Sequence, residues 1–543
     1  MGVEGTFDTL NPFSFKGRAP QELLSLVFQT LGQSTLDEIG ASYPQVAEDF
    51  VLAPDRKSMR VKLYKSAKFS DGHPLSSEDV VFSLNILKSK EADPHYASYW
   101  SDIREVKALS PQELLFTFVR YTQEIPLLVS EIPVLPKHIY EGAGFSKVFL
   151  SRAVGSGPYI VENYKFASTI RFKKNPHFWA KDQFMNRGRF NFEHIVLDYY
   201  RDQVPLVQAF KNGSSNFFIA YFIKTWLRDL VGKAFDSKRI IKEEWKQAMN
   251  QGASGYFLNL SKPQFQDIRV RKAMILAFDF SWTNRTLFND LYLQSESLFE
   301  NSVYKAQGVP NAKETAILSS LKKKFPSDIP TEVFEKPVAY LGKGLNREER
   351  LKVARSLLKE AGYSLQKAKL TGPGGILNFN LLLRSPSALR AAQAYEQNLA
   401  RIGIHLHSEV KDTPGFMHKL ISRDFDLAAL TVPASPSPGQ EQVDFWHSHS
   451  AAETHSRNFY SLANPAVDAL LERLIASQTG EERELNARCL DRLIYHLHIA
   501  VPNWYTDKYR VAYWNTVERP EHLPSYYFET QMIEFMYMSS QTP

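Results

Sequence analysis

Apolar and polar residues alternate with a period of two in several short stretches of the first half of the chain, as in strands with one buried face. We expect strands over 58–64, 113–118 and 195–200, and a hairpin within 159–179 that turns at Ala167-Ser168. Helical spacing of apolar residues predicts helices over 20–31, after Ser77 and over 204–211. This half is therefore predicted to be rich in strands, with helices attached.

Beyond Gly252, strand patterns and helical patterns follow one another in turn. Such alternation is typical of an α/β lobe. The stretch 308–347 has little periodicity and several prolines, so we predict an irregular surface segment there. The expected strands are 255–260, 378–383, one from Gly403, 425–430, 501–505 and 509–514, and the expected helices are 269–278, 348–361, 389–402, 467–474 and 490–497.

The composition is that of a large folded protein. With 543 residues, two or three lobes are expected, and 43% hydrophobic residues argue against intrinsic disorder. The net charge of +6 is spread over the chain, which disfavours a nucleic-acid partner. Cys489 is the single cysteine, so no disulfide can form within the chain, and its apolar helical setting predicts a buried core thiol.

No pattern in the chain predicts catalysis, a cofactor or a metal site. The glycine-rich stretch 372–375 lacks the Lys-Ser/Thr of a phosphate loop, and no G-x-S-x-G motif is present. The pairs His447/His449 and His496/His498 lack the i, i+4 spacing that helical metal ligands prefer, so we interpret them as solvent-facing. We therefore expect a protein that is not an enzyme.

Neither a membrane span nor a leader is recognisable. The longest apolar run, 217–223, is far shorter than the roughly 20 residues that a membrane helix needs. The opening residues MGVEGTFDTLNPF do not follow a signal-peptide pattern.

Several motifs, in their order along the chain, resemble those of one protein family. They are TFDTLNPF from Thr6, KFSDGHPLSSEDVVFS from Lys68, GSGPYIVENY from Gly155, KKNPHFW from Lys173, and DIRVRKAMILAFDFSWTNRTLF from Asp267. Together they are similar to the family 5 extracellular solute-binding proteins, the peptide- and nickel-binding receptors of ABC importers. FDFSWTNRTLF and SPSPGQEQVDFW further resemble the YejA-like oligopeptide-binding branch.

This resemblance implies a fold and its division. The implied fold class is α/β, a two-lobed periplasmic-binding-protein-like clamshell of type II, cluster C, with an extra subdomain. Lobe I would comprise 1–40, 155–252 and 500–543, with 41–154 as the extra subdomain, and lobe II would comprise 253–499. Ligands of the family bind between the lobes, which close over them.

The resemblance also implies a function. We expect a monomeric periplasmic or membrane-anchored extracellular receptor that captures oligopeptides and delivers them to an ABC permease. The alternative is the same receptor with another cargo: a peptide-like antibiotic, a metal chelate, haem or a sugar. An enzyme, such as a hydrolase with an unrecognised site, is the third hypothesis, and the missing motifs argue against it.

Positions carried over from the family give candidate ligand-binding residues. Arg384 follows the strand NFNLLL, and its guanidinium suits a peptide carboxylate; the alternative is a surface cation. The other candidates are Lys16 and Arg18 in the loop after the first strand, Tyr256 at one crossover between lobes, and Trp504 and Tyr505 at the other, with a core role as the alternative for the three aromatic residues.

The loop from Ser435 to Trp446 departs from the family pattern. Several peptide-binding relatives have an aspartate after the FDL strand that pairs with the peptide amine, whereas Ser435 stands near that place here. Glu441 and Asp444 are the candidates to replace it; otherwise the amine is not held by charge. We expect this loop, with Gln442 and Trp446, to determine specificity, and the alternative is a rigid, proline-rich connector.

Overall fold

The structure, a computed structural model, describes residues 1–14, 17–142, 144–366, 369–433, 435–453 and 456–539. The chain divides into two compact units. Unit 1 comprises Met1–Gln247 and Lys508–Pro543, and unit 2 comprises Ala248–Asp507. The extra subdomain expected at 41–154 lies within the first segment of unit 1 and stays a prediction as a separate body.

The first segment of unit 1 contains the following elements. Its strands are β1 (Gly2–Glu4), β2 (Gly32–Ser34), β3 (Ser42–Pro44), β4 (Ala47–Leu52), β5 (Ser58–Leu63), β6 (Ile103–Ser110), β7 (Glu113–Phe118), β8 (Tyr159–Lys165), β9 (Thr169–Lys174), β10 (His194–Tyr200), β11 (Phe217–Ile219) and β12 (Ile240–Lys246). Its helices are α1 (Leu23–Leu26), α2 (Ser77–Leu87), α3 (Pro94–Tyr99), α4 (Ile125–Ser130), α5 (Lys137–Tyr140), α6 (Phe145–Val148), α7 (Gln203–Lys211) and α8 (Lys233–Asp236).

Unit 2 and the final segment follow. The strands of unit 2 are β13 (Ala253–Leu258), β14 (Leu293–Gln294), β15 (Ser364–Gln366), β16 (Lys369–Gly372), β17 (Gly375–Ile376), β18 (Asn378–Leu383), β19 (His405–Val410), β20 (Leu427–Val432), β21 (Ala500–Pro502) and β22 (Trp504–Tyr505). Its helices are α9 (Ile268–Ala277), α10 (Phe280–Phe288), α11 (Ala312–Lys324), α12 (Glu332–Glu335), α13 (Arg347–Glu360), α14 (Leu389–Ala400), α15 (Thr413–Ile421), α16 (Gln442–Trp446), α17 (Ser448–Ala452), α18 (Pro465–Ile475) and α19 (Gly480–His496). The chain then returns to unit 1 with β23 (Lys508–Trp514), β24 (Val517–Glu518), α20 (Met532–Phe535) and β25 (Tyr537–Met538).

Three sheets organise unit 1. Two have four strands, in the orders β4-β5-β7-β6 and β1-β10-β9-β8, and only β1 is parallel to its neighbour within them. The third has the order β11-β23-β12, and both pairings are antiparallel. Its central strand therefore comes from the final segment of the chain.

The predicted helix after Ser77 is confirmed, and its start shows why it forms. Ser76 is the N-cap and Asp79 completes a capping box, with its carboxylate 2.8 Å from the Ser76 amide. Such a box satisfies two of the free amides at a helix start, and loss of a cap costs about 1 kcal/mol. The other Asp79 oxygen accepts from the Lys137 amide at 2.9 Å, which joins α2 to the start of α5.

The helix predicted over 20–31 is wrong beyond its first turn. Only Leu23–Leu26 are helical, and the next carbonyl, that of Val27, accepts a hydrogen bond from the Gly157 amide at 2.9 Å. Gly155 also lies against this carbonyl, and a Cβ there would stand 2.1 Å from the oxygen. This tertiary contact takes the backbone groups that a longer helix would use, and it explains the glycines of the GSGPY motif.

The main sheet of unit 2 has the order β19-β18-β20-β13-β21. Strand β18 is parallel to β19 and β20, whereas β13 is antiparallel to β20 and β21. One hydrophobic cluster, which includes Val270 of α9 and Leu399 of α14, packs on Tyr256 and Leu258 of β13. A second, which includes Leu470 of α18 and Leu490 of α19, packs on Phe257. The predicted alternation of helices and strands is confirmed.

The prediction of irregular chain over 308–347 is wrong, because α11 spans 13 of these residues. Asn311 caps this helix in a capping box with Glu314, and Leu318 is fully buried. The buried face of the helix also carries the Glu314 carboxylate, which lies 3.0 Å from the guanidinium of Arg492 in α19. The apolar pattern of α11 is weak because its buried face includes Glu314, which pairs with Arg492, a residue distant in sequence.

Two further predictions concern α19 and the residues that follow it. Cys489 is fully buried, as expected, and burial raises the pKa of its thiol to about 12. His496 and His498 are 3% and 6% exposed, so their interpretation as solvent-facing is wrong. Burial lowers the pKa of both imidazoles. Within the described residues, no helix has both the length and the apolar character to cross a membrane.

Candidate functional site

Most of the predicted site residues of unit 2 lie at or beside one edge of its main sheet. The parallel strands β18, β19 and β20 all end at this edge. Strand β13 begins there, because Ala253 pairs with Val432, and β21 ends there, because Pro502 pairs with Gly255. Arg384, the loop 435–446 and the Trp504-Tyr505 pair all follow strands that end at this edge. The crevice outside the carboxyl ends of strands is where open α/β sheets bind ligands.

Arg384 presents an uncompensated charge at this edge. Its side chain is exposed, and the structure gives its guanidinium no hydrogen bond or ion pair within the described part of the chain. The neighbouring Lys411, whose amide bonds the Leu383 carbonyl at 2.9 Å, has its ammonium 2.6 Å from Glu409. Because the adjacent cation is already paired, Arg384 is the cation at these two strand ends that can receive an anionic group.

The loop after β20 is held together by Glu441. Its carboxylate accepts from the Ser435 hydroxyl at 2.6 Å, the Gly439 amide at 3.0 Å and the Gln442 side chain at 3.1 Å. The Ser435 carbonyl accepts in turn from the Asn250 side chain at 3.2 Å, just before β13. This network gives the Glu441 carboxylate several hydrogen-bond donors within the loop, and the choice between a specificity element and a rigid connector stays a prediction.

The remaining candidates of the loop are also engaged within unit 2. Asp444 accepts from the Arg457 amide at 3.2 Å and lies 3.7 Å from its guanidinium. Gln442 and Trp446 are each 1% exposed, and the indole N–H donates to the side-chain amide oxygen of Gln442, Oε1, at 2.8 Å. Both side chains support the loop from beneath, and contact of the loop with a ligand stays a prediction.

The three aromatic candidates differ in burial. Tyr256 is 2% exposed and stacks on Tyr395 with ring centroids 5.6 Å apart, which favours its core alternative. Trp504 is half-buried beside Phe288, with centroids 4.7 Å apart. Tyr505 is half-buried as well; burial and the hydrogen-bonded Glu300 carboxylate raise the pKa of its hydroxyl. Trp504 and Tyr505 are thus the two that keep exposed surface beside the sheet edge.

In unit 1, the candidate Lys16 lies outside the described residues, and Arg18 is exposed. The Arg18 amide donates to the Asp8 carboxylate at 2.6 Å, and the Arg18 carbonyl accepts from the Asp8 amide at 3.0 Å. These two bonds hold the Arg18 backbone against Asp8.

Sequence reasoning missed two exposed aromatic residues of unit 1. Tyr221 and Phe222 follow β11 and are 57% and 42% exposed, and the Tyr221 hydroxyl donates to the Glu529 carboxylate. The sequence does contain a signal for them, the apolar run FFIAYFI, which continues beyond the three residues of β11. In unit 2 it also missed Asn250 and Ser254, polar residues beside the start of β13. Within the described ranges, no three His, Cys, Asp or Glu side chains are grouped as metal ligands.

The unit 2 sheet thus has an exposed cation and two half-buried aromatic side chains at the carboxyl ends of its strands, where open α/β sheets bind ligands. The model of bacterial extracellular solute-binding proteins, family 5, matches residues 41–453. The chain is also 34% identical to the probable peptide-binding protein YejA of Agrobacterium fabrum, over 97% of this chain and 87% of that protein. The chain therefore belongs to the bacterial extracellular solute-binding proteins of family 5, which are binding proteins for transport rather than enzymes.

Solved structures agree with this fold. The oligopeptide-binding protein AppA of Bacillus subtilis, in complex with a nonapeptide, has a TM-score of 0.71 at 17% identity, covering 99% of this chain and 98% of that one. NikA of Brucella suis, in complex with Fe(III)-EDTA, has a TM-score of 0.75 at 15% identity, covering 99% and 100%. The expected α/β periplasmic-binding-protein fold class is confirmed.

Proposed function

We propose that this chain is the oligopeptide-capturing component of an ABC importer, and that the carboxyl edge of the unit 2 sheet forms part of its peptide site. Membership of family 5 supports a role with an ABC permease. The similarity to the probable peptide-binding protein YejA over 97% of the chain supports peptide as the cargo. The ligand shifts the receptor toward its binding-competent conformation by contacting that conformation more favourably.

The exposed guanidinium of Arg384 is the observation that carries this proposal. It stands at the carboxyl end of β18, and no acidic partner for it lies within the described residues. A planar guanidinium matches a carboxylate in bidentate geometry, and a peptide with a free C-terminus supplies one. In this proposal Arg384 fixes the peptide by its C-terminal carboxylate.

The amino end of the peptide is held differently. Glu441 is occupied by donors of its own loop, and Asp444 lies against Arg457. Both carboxylates are engaged by neighbouring residues of unit 2, which favours the second of the two interpretations drawn from the sequence. In this proposal, backbone groups and water bind the peptide amine, and the loop 435–446 limits the size of the groups beside it.

The proposal is tested by the cargo that the protein retains. Protein purified from cells without denaturation is precipitated with acid, and the released small molecules are identified by mass spectrometry, with the Arg384→Ala variant prepared in parallel. We expect peptides with free C-termini from the wild type and fewer from the variant. If the wild type instead retains only a non-peptide compound, or gives no peptide and fails to bind a synthetic peptide mixture in calorimetry, peptide capture is wrong.

The same preparations test the other hypotheses. The similarity to NikA, whose structure contains Fe(III)-EDTA, keeps a metal chelate as the second candidate cargo. A chelate or haem would give visible absorbance and a metal signal in the released fraction, and both are expected to be absent. A hydrolase would shorten added peptides during prolonged incubation, whereas a binding protein returns them intact.

A further inference from the structure

Unit 2 encloses a cavity of about 50 Å³ beside the short strand β21. Strand β21 forms one wall with Ala500 and Pro502, and the C-terminal part of α19 forms another with Ile494 and Tyr495. Its remaining lining residues are Ala253, Ser254, Phe257, Ile275, Ser295, Ser297, Leu298, His498 and Ile499. The cavity is therefore built mostly of apolar side chains, with a few polar ones among them.

Three of those polar side chains lack a partner. The hydroxyl of Ser295, the hydroxyl of Tyr495 and the imidazole of His498 line the cavity, and none has a hydrogen-bond partner among the described residues. Ser295 and His498 are 2% and 6% exposed, and Tyr495 is half-buried. Three polar groups that face one cavity without a protein partner can each bond an occupant that offers a donor or an acceptor.

The cavity shares two lining residues with the proposed peptide site. Ser254 and Pro502, both half-buried, lie at the sheet edge and also line the cavity. The Asn503 amide donates to the Ser254 carbonyl at 2.9 Å, and the Asn503 carbonyl accepts from the Ser295 amide at 3.2 Å. These bonds link Ser254 and Ser295, two residues that line the cavity, through Asn503 to the edge where Trp504 and Tyr505 follow.

Size and charge restrict the occupant. One water molecule needs about 10–15 Å³ of such volume, so the cavity has room for roughly four non-hydrogen atoms. No charged side chain lines it, and burial lowers the pKa of His498, which keeps the imidazole neutral. A charged group entering here would lose its hydration without gaining a counter-ion. The occupant is thus short, neutral, and able to accept or donate a hydrogen bond.

We infer that this cavity is a side-chain pocket for one residue of the bound peptide, and that it selects a short neutral side chain with a hydrogen-bonding end, such as threonine or asparagine. The inference rests on the proposed function, because the pocket shares Ser254 and Pro502 with the proposed peptide site. The hydroxyls of Ser295 and Tyr495 and the imidazole of His498 recognise the polar end, and the apolar walls exclude longer side chains.

The test uses the full chain and a defined mixture of peptides. An equimolar synthetic mixture of tripeptides to pentapeptides, with free termini and all positions varied, is offered to the protein, and the retained peptides are sequenced by mass spectrometry. Tyr495→Phe removes only one pocket hydroxyl, and Ala253→Val fills part of the space. Tyr363→Phe is the matched control, because Tyr363 is a buried tyrosine of unit 2 that does not line the cavity.

The expected profile has one peptide position at which the wild type retains threonine about threefold to tenfold over its isostere valine, the range given by one hydrogen bond. Tyr495→Phe lowers this ratio, Ala253→Val shifts the same position toward glycine and alanine, and Tyr363→Phe leaves it unchanged. Retained peptides with no such position, or an unchanged profile in both pocket variants, overturn the pocket while the proposed function stands. If neither the wild type nor any variant retains a peptide, both the pocket and the proposed function are overturned.

Discussion

Two features of the same sheet edge differ in how their charges are satisfied. The loop 435–446 contains Glu441, which accepts hydrogen bonds from two neighbouring side chains and a backbone amide. Arg384, which follows β18 at the same edge, has no partner within the described residues. In the proposed peptide site, the loop supplies shape and Arg384 supplies the charge that acts on the ligand. Substitutions in the loop should change stability first, whereas substitution of Arg384 should change binding alone.

The largest expected effect is a loss of stability on substitution of Trp446, the buried residue at the end of the loop. Trp446→Ala removes a side chain that is 1% exposed, together with its bond to Gln442, and should lower the free energy of unfolding by about 3–5 kcal/mol. Denaturant unfolding followed by circular dichroism measures this loss. Trp446→Phe keeps most of the packing and should lose less. Equal, small losses in both variants would show that the loop is not supported from beneath.

The core of unit 2 contains a second carboxylate that is held by hydrogen bonds, and its titration can be measured. Asp491 of α19 accepts from the Ser297 hydroxyl and from the amides of Leu298 and Ala306, all within 2.8 Å. Burial nevertheless raises the pKa of Asp491 from 3.8 to about 6. The folded state then holds this proton more tightly than the unfolded state does, so the group stabilises the fold below its ordinary pKa, and the contribution disappears as pH rises through about 6.

The pH dependence is measured against Asp491→Asn, which removes the titration. Between about pH 3 and pH 7, the stability of the wild type relative to the variant should fall by about 3 kcal/mol, the equivalent of a two-unit shift. Thermal unfolding across this range gives the difference. A difference that is constant with pH would mean that Asp491 keeps its ordinary pKa in the fold.

Arg384→Ala tests the other half of the comparison. Loss of a charge-assisted bond of about 1.5–3 kcal/mol should weaken binding of peptides with a free C-terminal carboxylate by roughly tenfold to a hundredfold. Calorimetry measures the affinity, and the melting temperature should stay unchanged because the side chain is exposed. Arg390→Ala, in the exposed part of α14, is the matched control. If affinity is unchanged, Arg384 does not hold the carboxylate.

The smallest effect is expected at the amino end of the peptide. Since Glu441 and Asp444 are engaged within unit 2, acetylation of the peptide amine should change the affinity less than twofold. Paired titrations with free and acetylated peptides of one sequence measure the ratio. A loss of tenfold or more would reveal a carboxylate that pairs with the amine, and the Glu441→Gln and Asp444→Asn variants would then identify it.

The parts of the fold that depend on neighbours along the chain could be predicted from the sequence. The helix after Ser77 carries its own cap and acidic first turn, and the hairpin of β8 and β9 turns at Ala167, as its alternation indicated. The errors arose where a distant residue decides the local structure. Helix α1 ends because the Gly157 amide binds the Val27 carbonyl, and the buried face of α11 contains a carboxylate paired with Arg492.

The candidate site could be predicted only as a set of positions. The resemblance to the family indicated Arg384 and the loop 435–446, but the pairing of Glu441 with Ser435 depends on side-chain geometry that periodicity does not contain. Tyr256 is a candidate for which the family resemblance suggested a site role and the structure shows a core position. Its position beside a crossover suggested a ligand contact, whereas its ring stacks on Tyr395 in the core. The sequence alone does not distinguish an aromatic residue of the core from an aromatic residue of the site.

The central position of β23 in the sheet β11-β23-β12 has a consequence for synthesis on the ribosome. Strands β11 and β12 each pair with β23 in this sheet, and β23 is made only after the whole of unit 2, about 260 residues later. At 5–20 residues per second, this is a delay of roughly 15–50 s. Unit 2 is continuous in sequence and can complete its sheet during that time. The nascent chain should therefore finish its inserted unit first and close unit 1 last, with two unpaired strands waiting for the final segment to emerge.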